Sequence, residues 1–282
     1  MMPRMRIAAI LVTYSAFPGE LIDSLGATRH RVEWEVFHHG PDKGLGRRIG
    51  ARVAEVGGIF HPHGTNRGLA RSWNEGIHAG RERGADLIML LNDDLFFYED
   101  GFDRFVDFAA EAARDPSAGL ITVKGLETGG PNPGIVQAQN FACCVLTGQV
   151  LDAVGYLDEN FSPAYFEDID YHRRLQLAGF REIWDERVLV EHARGQTTLA
   201  NPALAGAYRA NLDYWLRKWG QWGEEGTRTY AHPFDDIRFG LSIPYEKRAA
   251  PYGPPFDRLD VAPRRLSARS LLRGRRPWRP EV

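Results

Sequence analysis

Cysteine is scarce in this chain: 282 residues contain two, and they are adjacent, Cys143 and Cys144. Neighbouring cysteines make no disulfide framework and lack zinc-ligand spacing, so a reducing, cytoplasmic setting is expected. Long apolar runs are missing too. No stretch approaches the roughly 18 residues of a membrane span, and Met1 to Tyr14 lacks the form of a cleavable signal. An excess of one charge is also absent. Lys plus Arg number 35 against 37 Asp plus Glu, a formal net charge of −2. That balance argues against a nucleic-acid binder working through a whole-surface positive field. Lysine is rare as well, with only Lys43, Lys124, Lys218 and Lys247.

What remains is an ordinary globular composition, 43% hydrophobic and 26% charged, with enough apolar material for a sizeable core. The charge is unevenly spread. Residues 248–282 hold nine arginines against Asp257, Asp260 and Glu281, a local +6 that leaves −8 on the rest. Pro251, Pro254, Pro255 and Pro263 open this segment, so it reads as an arm outside the core.

The first half alternates strand and helix signals. Apolar runs at Ile7–Tyr14, Glu33–Phe37, Gly58–Phe60, Asp86–Leu91 and Leu120–Val123 predict strands. Lys43–Val56, Leu69–Arg83 and Glu99–Ala113 suit helices between them. Such spacing implies parallel β-α-β units with right-handed crossovers, an α/β fold. Beyond residue 130 a strand is predicted over Val136–Leu146 and another over Arg181–Val190. Helices are predicted over Gly148–Val154, Glu167–Ala178 and Pro202–Trp219. No internal repeat appears.

In an open parallel sheet, ligands bind off the carboxyl ends of the strands. Asn92, Asp93 and Asp94 leave such an end together. Two adjacent carboxylates there suit a hard divalent ion shared with a diphosphate, or else an Asp-rich turn. Glu167-Asp168-Ile169-Asp170 opens a helix, where acidic residues cap the dipole and Asp170 can pair with Arg174. A carboxylate at that position also suits a general base. Asn66 to Gly76 leads a small-residue turn into a helix, with Arg67 and Arg71 near free backbone N–H groups, an anion-binding arrangement. His192 follows a strand and is a candidate ligand or a satisfied structural histidine.

In this order the elements resemble the inverting glycosyltransferases of family 2. The matching stretches are Val12-Thr-Tyr14, Asn66-x-Gly68 through Asn74-x-Gly76, Leu91-Asn-Asp-Asp94, Phe166-Glu-Asp-Ile-Asp170, His192-x-x-Gly195 and Lys218-Trp-Gly220. The resemblance implies a GT-A fold: a Rossmann-like, mostly parallel sheet flanked by helices, followed by an acceptor-side helical region. It divides the chain into a nucleotide-sugar-binding catalytic domain at 1–225, an acceptor-side extension at 226–262 and a basic tail at 263–282. It implies transfer of a sugar, assisted by Mn²⁺ or Mg²⁺, from a nucleoside-diphosphate sugar to a saccharide or lipid-linked acceptor, as in polysaccharide biosynthesis. By the same resemblance Thr13 and Tyr14 border the base, and Asn66, Arg67, Arg71 and Asn74 line the nucleotide pocket. Asp94 binds the metal with His192 as a further contact, and Asn92 or Asp93 reaches the ribose or a metal-bound water. Asp168 is the base and Glu167 shapes the acceptor side.

Two departures stand out. The family's acidic base reader after the second strand is replaced by Phe37-His-His-Gly-Pro41, and the first Asp of its Asp-x-Asp motif is Asn92. The alternatives are a catalytically silent nucleotide-sugar-binding module, a nucleotidyltransferase and a flavodoxin-like phosphoacceptor. A nucleotidyltransferase usually carries a glycine-rich basic loop after strand one, absent after Tyr14. The tail, with Leu266, Leu271, Leu272 and Trp278 among its arginines, is a candidate peripheral contact with the inner face of an anionic membrane. The competing readings are a solvated tail, a tail packed on the acidic body of its own or a neighbouring subunit, and contact with a polyanionic acceptor such as nucleic acid.

Overall fold

A computed structural model describes residues 6–129, 133–136, 138, 140–193 and 203–219. The expected extension at 226–262, the basic tail, Gly195 and Gly220 lie outside these residues. Among the described residues nine strands form one sheet: β1 (Arg6–Thr13), β2 (Arg31–His38), β3 (Ile59–Pro62), β4 (Leu87–Asn92), β5 (Leu95–Phe97), β6 (Ala118–Glu127), β7 (Gly134–Val136), β8 (Cys143–Thr147) and β9 (Arg181–His192). The helices are α1 (Gly19–Ala27), α2 (Lys43–Glu55), α3 (Leu69–Glu82), α4 (Gly101–Ala112), α5 (Gly148–Val154), α6 (Glu167–Leu177) and α7 (Ala203–Trp219).

The strand order is β3-β2-β1-β4-β8-β6-β9-β5, with β7 beside β6. From β3 to β4 the neighbours are parallel, as the apolar runs predict, whereas β8 is antiparallel to both β4 and β6. The long ladder of β6 with β9 is parallel again. Alternation along β1 assigns each residue to a face. Ile7, Ala9 and Leu11 pack with α1, α2 and α4, while Ala8 and Ile10 pack with α3, α5 and α6.

α3 lies flush on the sheet because two of its positions have no side chain. A Cβ on Gly76 would come within 2.7 Å of Ile10, and one on Gly80 within 2.5 Å of Ala8. Its buried partners Ala70, Trp73 and Ile77 then fill the groove. A third cluster, Phe161, Phe166, Tyr214 and Trp215, docks α7 against the segment leading into α6.

Three sequence expectations change. The single strand predicted over Val136–Leu146 is β7, a 3₁₀ turn at Asn140–Ala142, and β8. The helix predicted from Glu99 begins at Gly101, since Glu99 takes a left-handed φ of 49°. α1 and β5 were not foreseen. Of the aromatics in α7, Tyr214 and Trp215 are core, and Tyr208 is exposed with its ring against those of Tyr165 and Phe166.

Candidate active site

The site forms where the strands end. Parallel pairing sets Val12 beside Asn92, so Tyr14 and the Asn92-Asp93-Asp94 turn leave the same edge of the sheet. Asp93 turns inward and accepts the Tyr14 N–H at 3.1 Å. Burial first, and the neighbouring Asp94 second, push its carboxyl up to about 7. It therefore clasps two strand ends together, while Asn92 and Asp94 stay half-buried at the edge.

Asp94 and His192 meet because β5 folds back along β9. Leu95 pairs with His192, and the Ala193 N–H donates to the Asp94 carbonyl at 3.0 Å. Asp94 Oδ1 then lies 3.1 Å from His192 Nε2. The opposite ring nitrogen, Nδ1, is buried and has no hydrogen-bond partner among the described residues. A carboxylate oxygen and an imidazole nitrogen are a fitting pair of donors for a divalent ion of the Mn²⁺ or Mg²⁺ kind. No group of three or more His, Cys, Asp or Glu converges among the described residues, so further ligands would come from diphosphate and water.

The entry to α3 is built for tight approach. Asn66 Oδ1 accepts the Gly68 N–H at 3.0 Å, and Gly68 adopts a left-handed φ of 96° that a side chain would strain. Leu69 N–H donates to Pro163 O at 2.7 Å, which joins the start of α3 to the segment before α6. Asn66 is exposed. Arg67 and Arg71 are partly exposed and share the Glu75 carboxylate, at 2.9 and 3.3 Å.

Two expected nucleotide contacts have other duties. Asn74 is wholly buried: its amide donates to Leu157 O at 2.9 Å and accepts the Leu157 N–H at 2.9 Å. It clamps α3 to the segment after α5, and its amide faces no open surface. Thr13 falls in step with Ile7, Ala9 and Leu11 on the α1–α2 side, where its hydroxyl shares a 2.8 Å hydrogen bond with His38 Nδ1. Tyr14 remains half-buried at the strand end.

The acidic end of α6 is entered through two left-handed residues, Tyr165 (φ 81°) and Phe166 (φ 72°), a costly backbone held by the packing of Phe166. Glu167 is only 4% exposed, and its Oε2 has no hydrogen-bond partner among the described residues. Burial, reinforced by the adjacent Asp168, raises its carboxyl well above the usual range. Asp168 is half-buried, with Oδ1 accepting the Ile169 N–H at 2.8 Å. Asp170 is different: with Arg174 it forms the wholly buried i,i+4 pair read from the sequence, 2.8 Å apart. Asp168 sits at the start of α6, whose Tyr171 and Leu175 pack on the same face of the sheet as Leu90 and Cys144.

Histidines occupy the place of the expected acidic base reader, and sequence reasoning gave them no role. His39 follows β2 and bonds Ser72 Oγ through Nε2 at 2.7 Å. Burial holds its imidazole down to about 4, so the ring is neutral. His63 lies beside it, with ring centroids 5.6 Å apart, and Phe37 stacks on His61 at 4.4 Å. The readable signal is the pair His38-His39 at the end of one strand and His61-Pro-His63 at the end of the next. Gly40 lets this loop close on the first strand end, since a Cβ there would sit 2.0 Å from Tyr14 O.

No protein-family model matches the chain. One curated relative, the uncharacterized protein y4gI of Sinorhizobium fredii, is 30% identical over 82 residues, 28% of this chain and 9% of its own length. The chain thus spans about a tenth of that relative. Solved structures resemble it over far more. The mannosyltransferase PcManGT from Pyrobaculum calidifontis, in complex with GDP-Man and Mn²⁺, matches at TM-score 0.51 and 13% identity, over 89% of this chain and 82% of that one. S. aureus TarS matches at 0.52 and 13%, over 86% of this chain and half of its own. TarS 1–349 in complex with UDP-GlcNAc matches at 0.53 and 13%, over 75% and 67%. At such identity the likeness shows the fold, a mixed α/β GT-A architecture with a mostly parallel sheet flanked by helices. Among the described residues no helix is long and apolar enough to cross a membrane.

Proposed function

We propose that this chain transfers a sugar from a nucleoside-diphosphate sugar to a hydroxyl of a saccharide or lipid-linked saccharide, with inversion at the anomeric carbon. The observation that supports the reading is the Asp94–His192 pair at the strand-end edge of the sheet, with Asp168 half-buried at the start of α6. Structural neighbours solved with GDP-Man and Mn²⁺ or with UDP-GlcNAc support a nucleotide-sugar donor.

Asp94 and His192 would hold the divalent ion, which when bound offsets the negative charge of a leaving diphosphate. Arg67 and Arg71 add positive charge at the start of α3, on the same face of the sheet as α6. Tyr14, Asn66, Asn92 and the neutral His39 border the nucleotide side. Asp168 takes the proton from the acceptor hydroxyl as that oxygen attacks the anomeric carbon and the bond to the diphosphate oxygen breaks. Attack from the face opposite the leaving group inverts the centre. Glu167, beside the base, shapes the acceptor side.

The test is a donor panel of UDP-, GDP- and dTDP-sugars, scored for sugar release with Mn²⁺, with Mg²⁺ and with chelator. Metal-dependent release from one donor, lost in Asp168→Asn with donor binding kept, is the expected result. Binding without turnover in the unaltered chain would leave a nucleotide-sugar-binding module instead. No stabilisation by any nucleoside diphosphate, with or without Mn²⁺, overturns the assignment outright.

A further inference from the structure

Three strand ends lie in step at the candidate nucleotide edge. Thr13, His38 and Pro62 pair across β1, β2 and β3. The ladder then runs on by one residue: the His39 N–H donates to Thr13 O and the His63 N–H to His38 O, each at 2.9 Å. Tyr14, His39 and His63 therefore stand side by side just past the paired ends. Neighbouring strands are about 4.8 Å apart, so this row spans roughly 10 Å. Two residues back along β2, and hence on the same face, lies a second row of rings. Phe37 and His61 pair across β2 and β3 and stack at 4.4 Å with planes 11° apart. His63 lies close to parallel with both, 5.9 Å from Phe37 and 6.5 Å from His61.

Each ring is held by its neighbours. The buried Glu35 carboxylate accepts from His61 Nε2 at 2.7 Å and from Arg83. His39, bonded to Ser72, lies 5.6 Å from His63 between ring centroids. Arg67 donates to His63 Nδ1 at 3.2 Å and to Glu75 at 2.9 Å. His63 is nonetheless only half-buried, and a Cβ on the adjacent Gly64 would meet nothing within 4 Å, so this strand end borders open space. Burial lowers both imidazoles, with the Arg67 charge second at His63, so both rings are neutral at pH 7. The carboxylates around the row are already paired: Glu35 with His61 and Arg83, Glu75 with Arg67 and Arg71, and Asp93 with the Tyr14 N–H. A base arriving here meets uncharged rings first. Stacking, which every base offers through its π face, then outweighs readout of its hydrogen-bonding edge.

We propose that the base of the donor stacks on His63 in this row and is a purine, so that the nucleotide bound is a purine nucleoside diphosphate. The proposal rests on the reading that the chain binds a nucleoside-diphosphate sugar at this edge. A purine lays two fused rings on the platform where a pyrimidine lays one, and the width of the row has room for both. His63 is the ring that selects. Phe37 and His39 back it, and Arg67 fixes its orientation before the nucleotide arrives.

Calorimetric titration of the full chain in Mn²⁺ tests this with GDP, ADP, UDP and CDP, and with inorganic pyrophosphate as a probe that has no base. GDP and ADP should bind at least about fivefold more tightly than UDP and CDP. His63→Ala should bring the purine and pyrimidine diphosphates to within about twofold of each other and leave pyrophosphate affinity unchanged. His63→Phe, which keeps a ring in place, should restore the purine preference. Pyrimidine diphosphates bound as tightly as purine ones by the unaltered chain overturn the proposal, as does an undiminished preference in His63→Ala. A matching loss of pyrophosphate affinity in His63→Ala marks a merely structural residue and overturns it too. If neither pyrophosphate nor any nucleotide binds, the nucleotide-sugar reading itself fails, and the proposal with it. UDP bound most tightly leaves that reading standing and removes purine selection alone.

Discussion

Carboxylates one residue apart do different work here because burial differs. Asp93 is turned inward to the Tyr14 N–H and held near 7, while Asp94 stands at the edge, 3.1 Å from His192. Replacing Asp94 with Ala should abolish Mn²⁺-dependent affinity for a nucleoside diphosphate with the thermal transition preserved. Calorimetric titration with and without Mn²⁺ reads this, and unchanged Mn²⁺-dependent affinity would remove Asp94 from the metal. The pair Glu167 and Asp168 separates in the same way. Asp168, half-buried at the helix end, is the accessible member. Its change to Asn should lower transfer by roughly 10² or more, the usual worth of a general base, with donor binding retained.

At the level of elements, the site depends on where the starts of α3 and α6 are held. Asn74 supplies both an acceptor and a donor to Leu157, so a single side chain fixes α3 against the segment following α5. Asn74→Ala leaves the Leu157 N–H and C=O unmatched in the interior. The expected cost is about 2–6 kcal/mol in urea unfolding, since each buried orphan costs about 1–3 kcal/mol. Gly80→Val tests the close approach of α3 to β1. A Cβ there would meet Ala8 at 2.5 Å, so the helix must lift, and a loss of roughly 1–3 kcal/mol is expected. A Gly80→Val protein as stable as the parent would show that α3 is not seated by that contact.

Across the whole molecule, opposed groups share one pH window. His39 and His172 titrate near 4 in the fold, against 6.5 for free histidine. Between these values the unfolded chain holds protons that the folded chain does not, so their contribution to stability is present above pH 6.5 and lost as the pH falls to 4. Asp93 and Glu182 titrate near 7 in the fold, against 3.8 and 4.5. There the folded chain holds the extra proton, and stability falls as the pH rises through the same window. The two slopes oppose each other, so a variant exposes them better than the wild type does. His39→Gln should make the slope of stability against pH more negative between pH 4 and 6.5, by up to about 1.4 kcal/mol per unit. Unfolding midpoints of both proteins at several pH values measure it, and parallel curves would show His39 to be protonated in the fold.

Much of this architecture was legible in the chain because it is encoded locally. Ile7–Leu11 and Leu87–Leu91 are apolar on both faces, which only a covered central strand tolerates, and Leu69–Arg83 shows helical spacing with its small residues on one side. The buried Asp170–Arg174 pair was readable from its i,i+4 spacing. β5 was not: three residues acquire strand identity only when β9 offers its edge, and that pairing is what joins Asp94 to His192 across the sequence. α1 was missed because it is short, holds Gly19 and Gly26, and has no side-chain cap. Asn74 and Thr13 look in sequence like any polar residue near a motif. Only tertiary packing decided that their polar atoms face Leu157 and His38 and not an open cleft, because hydrogen-bond partners contributed by other segments exist only once the chain has folded.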